Sequence, residues 1–396
     1  MESVVVADIG SAFTKTALLG NVEGSLRVLA SSQAPTSSSP PQADVLDGVR
    51  GGVELLQAST GRRLLNGDFL ISPAQPNGNG ADYFLATSSA GEALTLVVIV
   101  ADAKSAVAAG FTSAATRMLS TPVNLDVVSL SSDSRVTATR LVQWQVTPLD
   151  AVVFVPSPKP PKDLAPRVNE LVQFLSSAAR RKGMNRLPLF YLGTQQDLDD
   201  QGLLPSEDLA WQPLVAGDDP GIDELSGLAP HINRLYEERQ QQLVPGLQGL
   251  RQYLAAPLQS GPQALGAAAD FLARDRDAYT LVVDVGASTT TAVSSDRRSV
   301  EWGIASGTGA GAPRLVHSAG TASITRWLPY QYSAAQLDEA AMNRALFPCS
   351  MPATNDDLQL DHALAIEAIR LALSPRDRQL GGATPGLVVV TGGLFR

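Results

Sequence analysis

Apolar and polar positions along this chain follow two periods, and each period predicts its own elements. Residues 4–9 form an apolar run closed by Gly10-Ser11, and residues 14–19 and 26–31 continue as extended runs. Runs of this length bounded by turn residues predict a β-hairpin with a third strand beside it. A Ser/Pro-rich surface connection from Pro35 to Pro41 leads to Asp44. There the period changes: Val45, Val49, Val53 and Leu56 recur at helical spacing, with Asp44 as the expected N-cap.

Farther on, strand-like runs alternate with helical patterns. Residues 94–101 precede a helix over 103–119, 123–130 precede one over 136–144, and 151–155 precede one over 164–181, with 189–192 closing the series. This alternation predicts α/β layers around a largely parallel sheet. The stretch 197–227 is polar and rich in Gly and Pro and reads as a long loop. Helical patterns then run from 231 to 273.

At Tyr279 the opening pattern restarts. Residues 281–285, a turn at Gly286, 289–293 and 300–304 again read as strand, turn, strand, strand. Helices over 333–345 and 357–373 follow, and a last strand, 387–390, runs into Thr391-Gly392-Gly393. The expected boundary falls at 260, with a first lobe over 1–260 carrying inserted α/β segments and a second over 261–396.

Composition narrows the classes. The net charge of −9 opposes a general nucleic-acid binder, which needs a basic face. Arg180-Arg181-Lys182 sits where a helix ends and complements its dipole. Cys349 is the only cysteine, so one chain holds neither a disulfide nor an all-cysteine metal site. Glu2 and Asp8 stand where a signal peptide wants basic and apolar residues, and no run approaches the ~18 apolar residues of a membrane span. The expectation is a soluble cytoplasmic protein.

Three segments carry candidate chemistry. Asp8-Ile9-Gly10-Ser11-Ala12-Phe13-Thr14-Lys15 and Asp284-Val285-Gly286-Ala287-Ser288-Thr289 occupy the two hairpin turns, and Thr391-Gly392-Gly393 ends the last strand. Small and hydroxyl residues after an apolar strand let backbone N–H groups approach a phosphate. Asp8 and Asp284 are placed to hold Mg²⁺, directly or through water, and to act in catalysis; Lys15 adds a charge for the outer phosphates. Gly10, Ser11, Thr14, Gly286, Ser288, Thr289, Thr391, Gly392 and Gly393 complete the expected nucleotide contacts.

Together, in this order, the segments resemble the phosphate-1, phosphate-2 and adenosine motifs of the actin/Hsp70/sugar-kinase superfamily. The resemblance implies two actin-like (ribonuclease H-like) lobes, each with a mixed sheet, around a cleft for ATP and Mg²⁺. A narrower resemblance rests on Ala86-Thr87-Ser88-Ser89-Ala90-Gly91 with the run after it, Leu189-Phe190-Tyr191-Leu192-Gly193, residues 262–285, and Arg326-Trp327-Leu328-Pro329. These are similar to the MutL/GlmL-like accessory proteins of adenosylcobalamin-dependent glutamate mutase, which are unrelated to the mismatch-repair protein of like name. That similarity implies a cobalamin-dependent mutase as protein partner, and ATP-linked release of damaged cobalamin or help with assembly.

The chain departs from the family pattern. Ala287 replaces a second Gly, Thr291 replaces a terminal Asp, Ala12 stands where Thr is common, and Pro156-Ser157-Pro158 replaces a Gly-rich turn. These changes predict that binding survives while hydrolysis is slow or absent. The superfamily carries a helix after the position of Gly393, so a truncated second lobe or an incomplete pocket is the expectation there. Two other classes stay open: a non-catalytic actin-like interaction protein with a degenerate site, and a small-molecule kinase, for which no base is apparent. Ser306-Gly307-Thr308-Gly309-Ala310-Gly311 lacks the Lys-Ser/Thr of a P-loop and is expected to be a flexible cleft-side loop. His231, His317 and His362 lack metal-ligand spacing, Trp302 and Trp327 read as packing, and Asp356, Asp357 and Asp361 as helix first-turn acids. Ser88-Ser89 lacks the surroundings of a hydrolase nucleophile.

Overall fold

The structure, a computed structural model, describes residues 3–38, 44–101, 118–130, 149–156, 164–181, 186–193, 209–214, 223–377 and 384–393, with a few positions between 140 and 145. Most of the helices expected over 103–119 and 136–144, Lys182, Ser157-Pro158 and most of 197–227 lie outside the described residues. The chain divides into two compact units, one formed by 1–92 and 237–396, the other by 93–236.

The first unit contains two sheets of the same plan. Strands β1 (Ser3–Ile9), β2 (Phe13–Val22) and β3 (Ser25–Pro35) form an antiparallel meander. After α1 (Val45–Thr60) and the small hairpin β4 (Leu65–Asn66) and β5 (Phe69–Leu70), β6 (Tyr83–Ser88) returns parallel to β1. Much later β12 (Gln259–Ser260) pairs parallel to β6, giving the order β12-β6-β1-β2-β3. The second sheet repeats this with β13 (Thr280–Val285), β14 (Thr289–Ser295), β15 (Val300–Ser306) and β16 (Leu387–Gly392), in the order β15-β14-β13-β16. Residue n of the first hairpin corresponds to n + 276 in the second. The fold is that of two actin-like, ribonuclease H-like lobes.

Strand alternation sets the faces. Val5, Ala7 and Ile9 point to one side and bury against Val45, Val49, Val53 and Leu56 of α1, so Asp8 lies on the other. Asp44 caps α1, accepting from the Leu46 N–H at 2.9 Å. In the second sheet Val283 and Val285 pack on Ala365 and Ala372 of α9 (Asn355–Asp377), while Val282 and Val293 pack on Ala269 of α5 (Gly261–Asp275). Asp284 shares the α5 side. Before α5 run α3 (Asp223–Leu243) and α4 (Leu247–Arg251), and between β15 and β16 lie α6 (Ala312–Ala319), α7 (Thr321–Thr325) and α8 (Ala334–Leu346). The helical patterns expected over 231–273 are the three helices α3, α4 and α5; Ser260 and Gln263 form a capping box at the third, with Pro262 in its first turn.

The second unit is a sheet of β7 (Leu94–Val100), β8 (Val123–Ser129), β9 (Ala151–Val155), β10 (Leu187–Leu192) and β11 (Leu209–Leu214). All its pairings are parallel, in the order β11-β10-β9-β7-β8. Alternate residues of the same strands enter two cores: Val97, Ile99, Val152 and Phe154 one, Leu96, Val98, Val100, Val153 and Val155 the other. Burial on both faces explains why these strands are continuous apolar runs. Helix α2 (Leu164–Arg181) buries Val168, Leu171, Val172 and Leu175 against the first core. Strand β11 corrects the long loop expected over 197–227. It is an edge strand carrying Pro213, whose missing N–H an edge tolerates.

Candidate functional site

Each hairpin turn is built on a glycine. Gly10 donates its N–H to the Phe13 carbonyl at 3.1 Å, and Gly286 donates to Thr289 at 3.0 Å. A Cβ on either would stand 2.8 Å from that same oxygen. The turns place Asp8 opposite Lys15 and Asp284 opposite Thr291, and directly opposed residues share a face of the sheet.

The electrostatics join the two hairpins. The Asp284 carboxyl is raised to about 6, first by burial and then by the negative charge of Asp8, with the positive charge of Lys15 opposing the rise. Groups 276 residues apart are therefore within Coulombic reach in a partly desolvated space. A second contact across the lobes is the Cys349 thiol, which donates to the Ala12 carbonyl at 2.9 Å. Burial raises the pKa of this thiol, which keeps it protonated as a donor.

The third segment sits beside the second hairpin. Thr391 is in register with Asp284 and Gly392 with Val285. Gly392 has φ 111°, and a Cβ there would press on the Val285 backbone, so only glycine fits. Gly393 donates to the Val285 carbonyl at 3.1 Å. The first lobe has a counterpart: Thr87 of β6 is in register with Asp8, and Ser89 donates to the Ile9 carbonyl at 2.9 Å. Thr87 goes further, its hydroxyl donating to Asp8 Oδ1 at 2.8 Å. Thr87 is absent from the candidates named above; the register points to it, since Thr87 stands beside Asp8 as Thr391 stands beside Asp284.

Of the residues expected at the site, Asp8, Lys15 and Asp284 come together, with Gly10, Ser11, Gly286, Ser288 and Thr289 in or beside the two turns. Thr14 is placed elsewhere. Its side chain is fully buried on the α1 side, its hydroxyl 2.9 Å from that of Thr36. The flexible loop expected at 306–311 is instead a strut beneath the second turn. Gly307 donates to Ser288, Thr308 to Gly286, and Gly309 and Gly311 both to Ala287. Those N–H groups are thereby taken from any phosphate, and a Cβ on Gly307 or Gly311 would collide with the carbonyls of Gly286 or Ser288. His231 packs on Phe190, ring centroids 5.7 Å apart, and Trp302 donates to the Pro262 carbonyl at 3.1 Å. Asp356 and Asp357 lie in the first turn of α9 as expected, whereas Asp361 lies beyond it and pairs with Arg344.

The donor set fits a nucleotide with its metal. Two carboxylates repel each other in a desolvated space, and the Thr87 hydroxyl orients one of them. Hard oxygen donors of this kind match Mg²⁺, which relieves such repulsion and neutralises phosphate oxygens when bound. Among the described residues the turn N–H groups of Ser11, Ala12, Ala287 and Ser288 donate to nothing, as a phosphate-accepting turn requires. Lys15 supplies the fixed positive charge, while Thr291, fully buried opposite Asp284, supplies neither a base nor a charge. Among the described residues no group of three or more His, Cys, Asp and Glu side chains could hold a metal ion, so the expected metal has two carboxylates and otherwise phosphate and water oxygens as ligands.

The sequence matches the family model described as MutL protein over residues 4–122 and 224–385. The chain belongs to the MutL protein family. The matched parts of this MutL-family chain carry both hairpins, and the interval between them lies within the 93–236 unit. No curated protein matches the sequence. Among solved structures, the exopolyphosphatase of Cytophaga hutchinsonii aligns at 9% identity over 99% of this chain and 67% of that one, with a TM-score of 0.27. A diol dehydratase-reactivating factor in nucleotide-free form aligns at 13% identity over 99% and 92%, TM-score 0.33. A glycerol dehydratase reactivase aligns at 12% identity over 99% and 92%, TM-score 0.34. The MutL-family chain spans about two thirds of the length of the exopolyphosphatase.

Proposed function

We propose that this protein binds ATP with Mg²⁺ between its two Asp hairpins and serves an adenosylcobalamin-dependent mutase as an accessory or reactivating factor. The observation that carries the nucleotide half is the meeting of Asp8, Lys15 and Asp284, read in the raised Asp284 carboxyl. Asp8 and Asp284 hold the metal, directly or through water; Lys15 faces the outer phosphates; the two turns receive phosphate oxygens; and Thr391-Gly392-Gly393 borders the nucleoside. Turnover is slow, because neither Thr291 nor Ala287 supplies a base or a metal-water holder. The mutase half rests on family membership: closure of the lobes on ATP, and opening after its loss, drives release of damaged cobalamin or assists assembly.

A glutamate mutase holoenzyme inactivated by damaged cobalamin tests this reading. With this protein, ATP and Mg²⁺, cobalamin appears in the filtrate and activity returns on adding fresh cofactor. Release that is the same without ATP, or no release, contradicts it. A second reading, a docking protein with a degenerate cleft, is favoured by the substitutions at 287 and 291 and predicts mutase binding indifferent to nucleotide.

A further inference from the structure

A cavity of about 220 Å³ lies in the first lobe, on the side of α1 and away from the Asp hairpins, between the first half of α1, the β4–β5 hairpin and residues 250–253. Its floor is apolar and buried, formed by Val49, Val53, Leu65, Phe84 and Leu250. Tyr253 borders it and packs on the exposed Phe69, ring centroids 5.9 Å apart. The space opens to solvent on its polar side, where Asp47 and Asp68 are exposed. The polar groups converge at one side: Asp44, Asp47, Asp68 and Arg50. Arg50 pairs with both Asp47 and Asp68, and Asp44 spends one oxygen on the Leu46 N–H. Asp47 and Asp68 thus share one guanidinium, Asp44 stands in the same lining, and Glu54 adds to the negative field around Arg50.

An apolar cavity with a few convergent polar groups is the ordinary form of a small-ligand site. The charge count selects the ligand. An anion is repelled by the surplus carboxylates, a neutral apolar molecule leaves them without a counter-charge, and an ammonium meets them. We propose that this cavity is a second binding site, taking a small primary amine with a compact apolar body: the body on the Val49–Phe84–Leu250 floor, the ammonium among Asp44, Asp47 and Asp68. The site is independent of the nucleotide reading, sharing no residue with the Asp hairpins.

Ligand-detected NMR titrations of the whole protein, without nucleotide, test it with benzylamine, phenethylamine and isopentylamine against benzyl alcohol and benzoate. At least one amine binds saturably and at least tenfold more tightly than benzyl alcohol, benzoate does not bind, and added salt narrows the gap. Filling the cavity with Leu250→Trp, or with Val49→Phe should the first variant not fold, abolishes amine binding. The double change Asp47→Asn with Asp68→Asn reduces the preference for amine over alcohol to less than threefold while leaving Mg-ATP binding unchanged. Binding of none of the amines, binding of amine and alcohol alike, or binding that survives the filled cavity overturns the proposal. A basic peptide that binds here while every small amine fails also overturns it.

Discussion

The aspartate at 284 carries an energetic cost set first by its burial and then by its counterpart Asp8. Its carboxyl sits near 6 because burial and Asp8 both disfavour its charge. A folded-state value raised above the ordinary 3.8 means the ionised form weakens the fold: the penalty is full above about pH 6 and fades as the carboxyl protonates below it. Asp284→Asn is therefore expected to be more stable than wild type at pH 8, by up to about 3 kcal/mol, with the gain shrinking toward pH 4. Thermal unfolding across that range checks it, and a gain independent of pH contradicts it. The buried threonines of the two hairpins make a paired prediction. Thr14 shares a hydrogen bond with Thr36, but by strand register the position equivalent to Thr36 is Gly307, and the fully buried Thr290 hydroxyl has no partner among the described residues. Thr14→Val should cost about 1–2 kcal/mol by stranding Thr36, whereas Thr290→Val should be neutral or stabilising; equal losses in denaturant titrations would refute the assignment.

Single elements show what periodicity reveals and what it hides. Helix α1, its Asp44 cap and its buried face were legible because local spacing and capping chemistry agree. The same holds for both hairpins and for α2. Strand β11 was hidden by Pro213 and flanking loop residues, and β6 because its short Tyr83-Phe84-Leu85 run passes at once into Ala-Thr-Ser without apolar alternation. The glycine run at 306–311 looked like a flexible loop because nothing local records that its N–H groups find carbonyls in a turn about twenty residues earlier. That strut predicts that Gly311→Ala costs about 1–3 kcal/mol through steric conflict and also weakens nucleotide binding by displacing the second turn. Another long-range contact fixes the region around α7. Glu367, fully buried on α9, accepts from Arg326, Trp327 and Arg370 at 2.6, 2.8 and 2.7 Å. Despite the burial that opposes it, these donors hold its pKa below the ordinary 4.5. Its contribution is thus present above that value and lost as pH falls through the lower folded one. Glu367→Gln should cost about 1–3 kcal/mol at pH 7, discounted because both arginines are half-exposed, and the loss should vanish under acid.

At the scale of the whole molecule, the repeat is closer in backbone than in chemistry. The turns, registers and parallel neighbour strands match, yet Lys15 faces Asp8 where Thr291 faces Asp284. Phe84 and Ala86 of β6 are buried, while their counterparts on β16, Val388 and Val390, are more than half exposed. The first lobe thus carries the lysine and the second the carboxyl whose pKa is raised. Separate cores in the 93–236 unit and in the remainder predict two cooperative units of hydrogen exchange under mild denaturant; one shared transition would contradict that division. The central claim is that Asp8 and Asp284 frame one nucleotide site. Calorimetric titration of ATP into the whole protein, with and without Mg²⁺, tests it most directly. The account predicts saturable binding that requires Mg²⁺ and falls at least tenfold, about 1.4 kcal/mol, in both Asp8→Asn and Asp284→Asn. No binding, or binding that neither substitution nor removal of Mg²⁺ disturbs, would contradict it.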